Sequence, residues 1–298
     1  MARILDSDGI AASAVEKIRA LGHTVDVLTD HPKDKIVDII ADYDCLIVRS
    51  ATKVREPMID AMKNMKLVIR GGVGIDNIDH KYAESKGIHV RNTPAASSDS
   101  VAELALAHMF SVYRFLPQAN VTMRKGEWNK KKYEGRELAG KTLGIIGIGR
   151  IGNSLAKKAL ALGMKVISFD PFVKTCDGDI TLCDKDELLA KSDFVSLHIP
   201  FSGEPCIGKA EIAKMKDGAV LINCARGGVV DEDALCDALD SGKLSGAGID
   251  VYAKEPTPNE RLYTHPMVSM TPHIGATTGE AQDRIGDEIV KIIAEYFG

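Results

Sequence analysis

The chain has 298 residues, 45% of them hydrophobic and 27% charged, with a formal net charge of -4 at neutral pH. That length exceeds one small core and asks for one large or two medium domains, and the mildly acidic balance excludes a general pull towards nucleic acid or acidic membranes. No run approaches the ~18 apolar residues of a membrane span, and Asp6 and Asp8 interrupt the apolar stretch a signal peptide needs, so the expectation is a soluble, cytoplasmic protein.

In chain order, short apolar runs alternate with helical patterns. Residues 3–6 read as a strand, 10–21 as a helix, 24–28 as a strand, 34–40 as a helix and 45–48 as a strand. A helix over 56–65, a strand over 67–70, a helix over 78–86 and a strand over 88–91 follow. This alternation implies βαβ units and a parallel sheet. After Asn92-Thr93-Pro94 the pattern changes. Ser97, Ser98, Asp99 and Ser100 offer N-cap chemistry to a long apolar helix over 101–115, and a basic loop over 123–136 comes next. A second βα alternation starts at Thr142, with strands near 166–169, 194–197, 220–222 and 247–251, and the chain closes on a helix over 280–297. Leu21-Gly22 and Leu162-Gly163 occupy matching helix-to-strand joints, where a left-handed glycine ends the helix. The six cysteines (Cys45, Cys176, Cys183, Cys206, Cys224 and Cys236) show no C-x-x-C and no histidine-paired spacing, so reduced core thiols and no metal site are expected.

The segment Gly147-Ile148-Gly149-Arg150-Ile151-Gly152 follows a strand-like run, 142–146, and opens a helical one, 153–162. In that context Gly147 permits a tight turn and Gly149 admits a pyrophosphate to the backbone. Gly152 lets helix and strand pack closely, and the helix N-terminus offers N–H groups to the phosphates. Asp170 stands eighteen residues after Gly152, where an acid hydrogen-bonds ribose hydroxyls and repels a 2′-phosphate. The expected cofactor is NAD rather than NADP.

Three further segments end apolar runs: Asn223 to Gly228 with Arg226, Asp250 to Pro256 with Glu255, and Thr271 to Gly275 with His273. An arginine, a carboxylate and a histidine suit hydride transfer from a 2-hydroxy acid. The guanidinium holds the carboxylate bidentately. The histidine takes the hydroxyl proton, and the glutamate supports the imidazolium.

With these motifs in this order, the sequence resembles the D-isomer-specific 2-hydroxyacid dehydrogenases over essentially its whole length. The resemblance implies an α/β fold of two doubly wound parallel-sheet domains, one flavodoxin-like and substrate-binding (1–98 plus 273–298), the other a Rossmann NAD-binding domain (99–272) inserted into it. The substrate is then expected in the cleft between them. It also implies that Arg226, Glu255 and His273 are catalytic, with His273 the acid/base. Asp250 is implied beside the nicotinamide carboxamide, and Ile199, Pro200, Cys224, Ala225, Arg226, His273, Gly275 and Ala276 along the cofactor.

Within the family, 46–54 and 68–77 resemble the branch acting on D-3-phosphoglycerate. A phosphorylated three-carbon acid is charged at both ends and needs cations beyond Arg226. Arg49 and Arg70 supply them in this reading, with Ser50 and the backbone of Gly71, Gly72 and Gly74 as further substrate contacts. The competing expectation is that Arg49 and Arg70 pair with acids such as Asp44 or Asp76. Val73 stands where relatives often carry a hydroxyl. The resemblance also places the basic loop 124–132, with Trp128 as anchor, across a homodimer interface. The chain ends at Gly298, directly after the closing helix, and so is expected to be a short form without a regulatory domain. Two alternatives stay open: an uncharged-tail substrate such as glycerate/hydroxypyruvate or D-lactate, and an NAD-sensing binding protein like the family's corepressors.

Overall fold

Several runs that read as strands become strands because both their faces are sealed: every residue of Cys45–Val48, Phe194–Leu197 and Ala219–Asn223 is buried. In the computed structural model, which describes residues 1–176 and 178–298, the chain divides into two compact units. Both are α/β and built on parallel sheets.

The first unit is Met1–Ser97 with Ala276–Gly298. Its elements are β1 (Arg3–Asp6), α1 (Ala12–Ala20), β2 (Thr24–Val27), β3 (Cys45–Val48), α2 (Glu56–Ala61), β4 (Leu67–Arg70), α3 (His80–Ser85) and β5 (His89–Asn92), with the C-terminal helix Gly279–Phe297. The sheet order is β2-β1-β3-β4-β5, the flavodoxin-like winding. The C-terminal helix presents Ile285, Ile289 and Ile293 to the core and starts at Thr278, whose side chain accepts from the Ala281 N–H. Gly286 lets it approach α1, since a Cβ there would lie 2.8 Å from Ala14 Cβ. The helix expected over 34–40 is instead two 3₁₀ segments, Lys33–Asp38 and Ile40–Asp42. Bonds of the i to i+3 type (Ile39 N–H to Ile36, Tyr43 N–H to Ile40) tighten the chain while Ile36 and Ile40 stay buried.

The second unit is Ser98–Gly275. It runs α4 (Ser98–Tyr113), α5 (Leu116–Arg124), β6 (Thr142–Ile146), α6 (Arg150–Ala161), β7 (Lys165–Phe169), β8 (Ile180–Leu182) and α7 (Lys185–Lys191). Then come β9 (Phe194–Leu197), α8 (Lys209–Lys214), β10 (Ala219–Asn223), α9 (Glu232–Asp240), β11 (Leu244–Ile249), α10 (Glu260–Tyr263) and β12 (Val268–Met270). The order β12-β11-β10-β9-β6-β7-β8 reverses direction between β6 and β9, the switch point where such sheets bind ligands.

Several sequence expectations shift. Ser98, Asp99 and Ser100 lie inside α4 rather than ahead of it, and Asp99 bonds Ser154 and Lys158 of α6. The unit boundary falls after Gly275 instead of before His273, because the N–H groups of Ile274 and Gly275 are held by Asp250 of the second unit. Part of the supposed basic loop is helical: α5 has no buried residue, and Trp128 beyond it is 80% exposed. Among the described residues no helix is long and apolar enough to cross a membrane.

Helix α4 sits unusually close to β11. A Cβ at Gly246 would lie 2.4 Å from Val112 Cγ1, and one at Gly248 would lie 2.4 Å from His108 Cβ. His108 and Val112 are one helical turn apart, so two glycines on one strand face receive one helix face. Gly248→Ala is therefore expected to destabilise the fold by about 1–3 kcal/mol through overpacking. Denaturant unfolding checks it, and an unchanged midpoint would mean that α4 yields freely.

Candidate functional site

The glycines of the β6–α6 turn each answer a separate steric demand. Gly147 has φ +93°, and a Cβ there would meet the His198 carbonyl oxygen at 2.5 Å. At Gly152 a Cβ would lie 2.3 Å from the Gly147 carbonyl oxygen, so β6 and α6 could not come together. Gly149, the residue before α6, has nothing within 4 Å of a would-be Cβ. Open space thus lies over a helix start whose first-turn N–H groups, including those of Arg150 and Ile151, lack intrahelical acceptors. Asp170, just past β7, closes the turn from the side. Its Oδ2 accepts from the Ile148 N–H at 3.0 Å, its Oδ1 from the Phe172 N–H at 2.9 Å. Each oxygen keeps a lone pair for a ribose hydroxyl, so this cradle fits a dinucleotide.

The neighbouring strand ends carry the other residues. His198 follows β9; its Nε2 lies 2.9 Å from Ser196 Oγ, and burial lowers its pKa to about 4. Ile199 lies against Gly147, and Pro200 is exposed. After β10, Asn223 clamps its own loop: Oδ1 accepts from the Ala225 N–H and Nδ2 donates to the Arg226 carbonyl oxygen at 3.0 Å. Gly227 lets that loop touch the next, since a Cβ there would lie 1.7 Å from the Tyr252 carbonyl oxygen. Cys224 and Ala225 are buried, and burial raises the Cys224 thiol well above the ordinary range, with the nearby Asp250 charge adding to it. A neutral thiol serves here as a small apolar wall.

His273 and Glu255 meet directly. The imidazole Nδ1 is 3.0 Å from Oε1 and 2.9 Å from Oε2 of the carboxylate, and both side chains are 39% exposed. Glu255 is held by the Tyr252 N–H, which donates to Oε1 at 3.2 Å. With Nδ1 donating its proton to Glu255, Nε2 of a neutral ring is left as the acceptor. His273 has φ +55°, the left-handed region that a residue with a Cβ seldom adopts. Asp250, 1% exposed, accounts for it: Oδ1 accepts from the Ile274 N–H at 2.8 Å and Oδ2 from the Gly275 N–H at 2.9 Å. A cavity of about 690 Å³ borders the pair, lined among others by Tyr252, Tyr263, Met270 and Pro272.

The first unit carries its own cluster at the adjacent ends of β3 and β4, where Val48 pairs with Arg70. Asp8 organises the turn after β3, accepting from the Arg49 and Thr52 N–H groups at 2.7 and 3.0 Å and from Thr52 Oγ1 at 2.6 Å. Asn77 Nδ2 braces the same turn by donating to the Arg49 and Thr52 carbonyl oxygens, which leaves Ser50 exposed between them. Among the described residues no acidic side chain pairs with the Arg49 guanidinium, and Asp44 pairs with Lys66 instead. The Gly71 N–H is committed to the Val48 carbonyl oxygen at 2.8 Å, so the sheet, not a ligand, takes it. Gly72, at φ +145°, makes room for the Arg70 guanidinium, since a Cβ there would lie 1.5 Å from Nη1. Gly74 is half-buried in the same loop, and Ala276 caps Gln282 through its carbonyl oxygen.

Sequence reasoning missed Asp8, Asn77, Asn223, Tyr252 and His108. Only His108 left a signal, as a polar residue at helical spacing with the apolar Ala105, Met109 and Val112.

Residues 106–275, more than half of the chain, match the sequence model of the D-isomer specific 2-hydroxyacid dehydrogenase, NAD binding domain. The chain belongs to this family. It is 47% identical over 280 residues to a hydroxypyruvate reductase of Thermotoga maritima, covering 92% of both chains. It is also 42% identical over 299 residues to a D-3-phosphoglycerate dehydrogenase of Methanocaldococcus jannaschii, covering 98% of this chain but 57% of that protein's length. A solved D-lactate dehydrogenase of Aquifex aeolicus, complexed with NAD and lactic acid, superposes with a TM-score of 0.85 at 32% identity, covering 99% of this chain and 95% of that one. The cofactor is NAD. Asp170→Asn keeps an acceptor for the Ile148 N–H but removes the charge, so preference for NAD over NADP is expected to fall about tenfold or more. Comparing kcat/KM for the two cofactors checks it; an unchanged ratio would place discrimination elsewhere.

Proposed function

We propose that this chain interconverts D-3-phosphoglycerate and 3-phosphohydroxypyruvate. The observation that carries this reading is the pair Arg49 and Arg70 at adjacent strand ends, with no acid paired to the Arg49 guanidinium among the described residues. A substrate anionic at both ends needs cations beyond the one that grips its carboxylate, and this pair supplies them. When bound, NAD supplies the two-electron acceptor at its nicotinamide ring. His273 takes the substrate hydroxyl proton on Nε2, while Glu255 accepts the hydrogen bond from Nδ1–H and stabilises the imidazolium. Arg226 grips the carboxylate through its fork and polarises the oxygen that becomes the carbonyl. In the reverse direction His273 returns the proton.

A second reading keeps these roles and changes the tail. The relative 47% identical to this chain is a hydroxypyruvate reductase, which favours hydroxypyruvate and glycerate. The deciding experiment is NADH oxidation with phosphohydroxypyruvate, hydroxypyruvate and pyruvate in parallel. Phosphohydroxypyruvate is expected to show the highest kcat/KM, and a preference for either unphosphorylated acid would overturn the first reading.

A further inference from the structure

We propose that His108 is a positioning residue that acts through Thr271 and Asp250 on the turn carrying His273. The inference rests on the reading of His273 as the acid/base. His108 projects from α4 into the second unit's core, 2% exposed, on a helix face otherwise lined by Ala105, Met109 and Val112. Its Nδ1 lies 2.9 Å from Ser269 Oγ on β12 and its Nε2 lies 3.1 Å from Thr271 Oγ1. The Thr271 hydroxyl donates to Asp250 Oδ1 at 2.6 Å. Asp250 in turn accepts from the N–H groups of Ile274 and Gly275, the two residues after His273.

Proton counting fixes the direction of this chain. Thr271 has one hydroxyl proton, and it is spent on the Asp250 carboxylate, so its oxygen can only accept from His108. Nε2 of His108 therefore carries the ring proton. A neutral ring then accepts at Nδ1, and Ser269 must be the donor there. Burial lowers the His108 pKa to about 4, which keeps the ring neutral at physiological pH. One tautomer alone satisfies all four groups, and a buried polar chain is stabilising only when complete. Each link restricts the next: the ring orients the hydroxyl, the hydroxyl orients the carboxylate, and the carboxylate holds His273 in its left-handed conformation.

The test compares wild type with His108→Leu, His108→Gln, Thr271→Val and the H108L/T271V double variant. Amide exchange at Ile274 and Gly275 is read by NMR on the whole chain, beside kcat with the preferred 2-keto acid. In H108L both amides are expected to exchange about tenfold faster and kcat to fall roughly tenfold, with the keto-acid KM within about twofold. Glutamine at 108, whose amide can replace the Nε2 donor, restores most of both. The double variant should be no worse than T271V, since the two act in series. If leucine at 108 prevents folding, T271V tests the next link by removing only a hydroxyl, and it must expose the same two amides. Unchanged protection in H108L or T271V, or a double variant that loses the product of the single effects, overturns the inference. A wild-type chain inactive with every 2-keto acid would overturn the dehydrogenase reading instead, and the exchange data would still judge the relay.

Discussion

Replacing His273 with alanine is expected to lower kcat by about two to four orders of magnitude while NADH binding stays within a few fold. The expectation follows from the ring's two nitrogens having different occupations. Nδ1 is taken by both oxygens of Glu255 at 2.9 and 3.0 Å, so the ring is oriented and its positive form is supported. Nε2 is then the one atom of the pair that can accept a proton from a secondary alcohol. Alanine removes that acceptor and leaves the backbone hydrogen bonds of Ile274 and Gly275 to Asp250 in place. The fold and cofactor cradle should survive, because Gly147, Gly152 and Asp170 make no use of the imidazole. Steady-state kinetics and a fluorescence titration with NADH separate the two effects. A loss smaller than about tenfold would remove His273 from proton transfer.

The second large effect is expected at Arg226. Truncation to alanine should cost about 3 kcal/mol or more of transition-state stabilisation, roughly a hundredfold or more in kcat/KM. Lysine should recover only a small part, since an ammonium cannot offer the paired N–H groups of a guanidinium. The guanidinium donates from Nη1 to the Ala225 carbonyl oxygen at 2.6 Å, but the loop is braced by other groups as well. Asn223 bridges Ala225 and the Arg226 carbonyl oxygen through its own amide, and Gly227 provides the approach to Tyr252. Arg226→Lys keeps the Asn223 and Gly227 braces, so its loss reports mainly on the fork. A kcat/KM for Arg226→Lys close to wild type would mean that charge alone is needed there.

Much of the architecture was legible because local sequence and burial agree. Strands such as Cys45–Val48 are four consecutive buried apolar residues, and the shortness of the run with its β-branched Ile47 and Val48 favours a strand over a helix. The joints at Gly22 and Gly163 were readable for a similar reason: both adopt positive φ, +89° and +77°, which glycine tolerates best. Elements with a weak local signature were not. β8 is a three-residue strand hydrogen-bonded to one neighbour only, and its place is decided by that neighbour. α5 buries nothing, so no apolar periodicity announces it. Segment 33–42 carries isoleucines at helical spacing but closes into 3₁₀ turns.

The candidate site divides the same way. The dinucleotide turn, Asp170 and the order of Arg226, Glu255 and His273 were set down in the sequence, because each depends on residue type at a strand end. The chain alone also places cations at Arg49 and Arg70. It could not say that the Gly71 N–H belongs to the sheet, or that Asp8 takes the N–H groups of the Arg49 turn while Asn77 takes its carbonyl oxygens. The left-handed conformation of His273 and its anchoring by Asp250 appear only in three dimensions. The bond between His108 and Thr271 joins residues 163 positions apart. A proton's place on a buried imidazole is decided by partners that folding alone brings together. Sequence determined which groups are present and on which strand ends; tertiary structure decided which of their donors and acceptors are already spent.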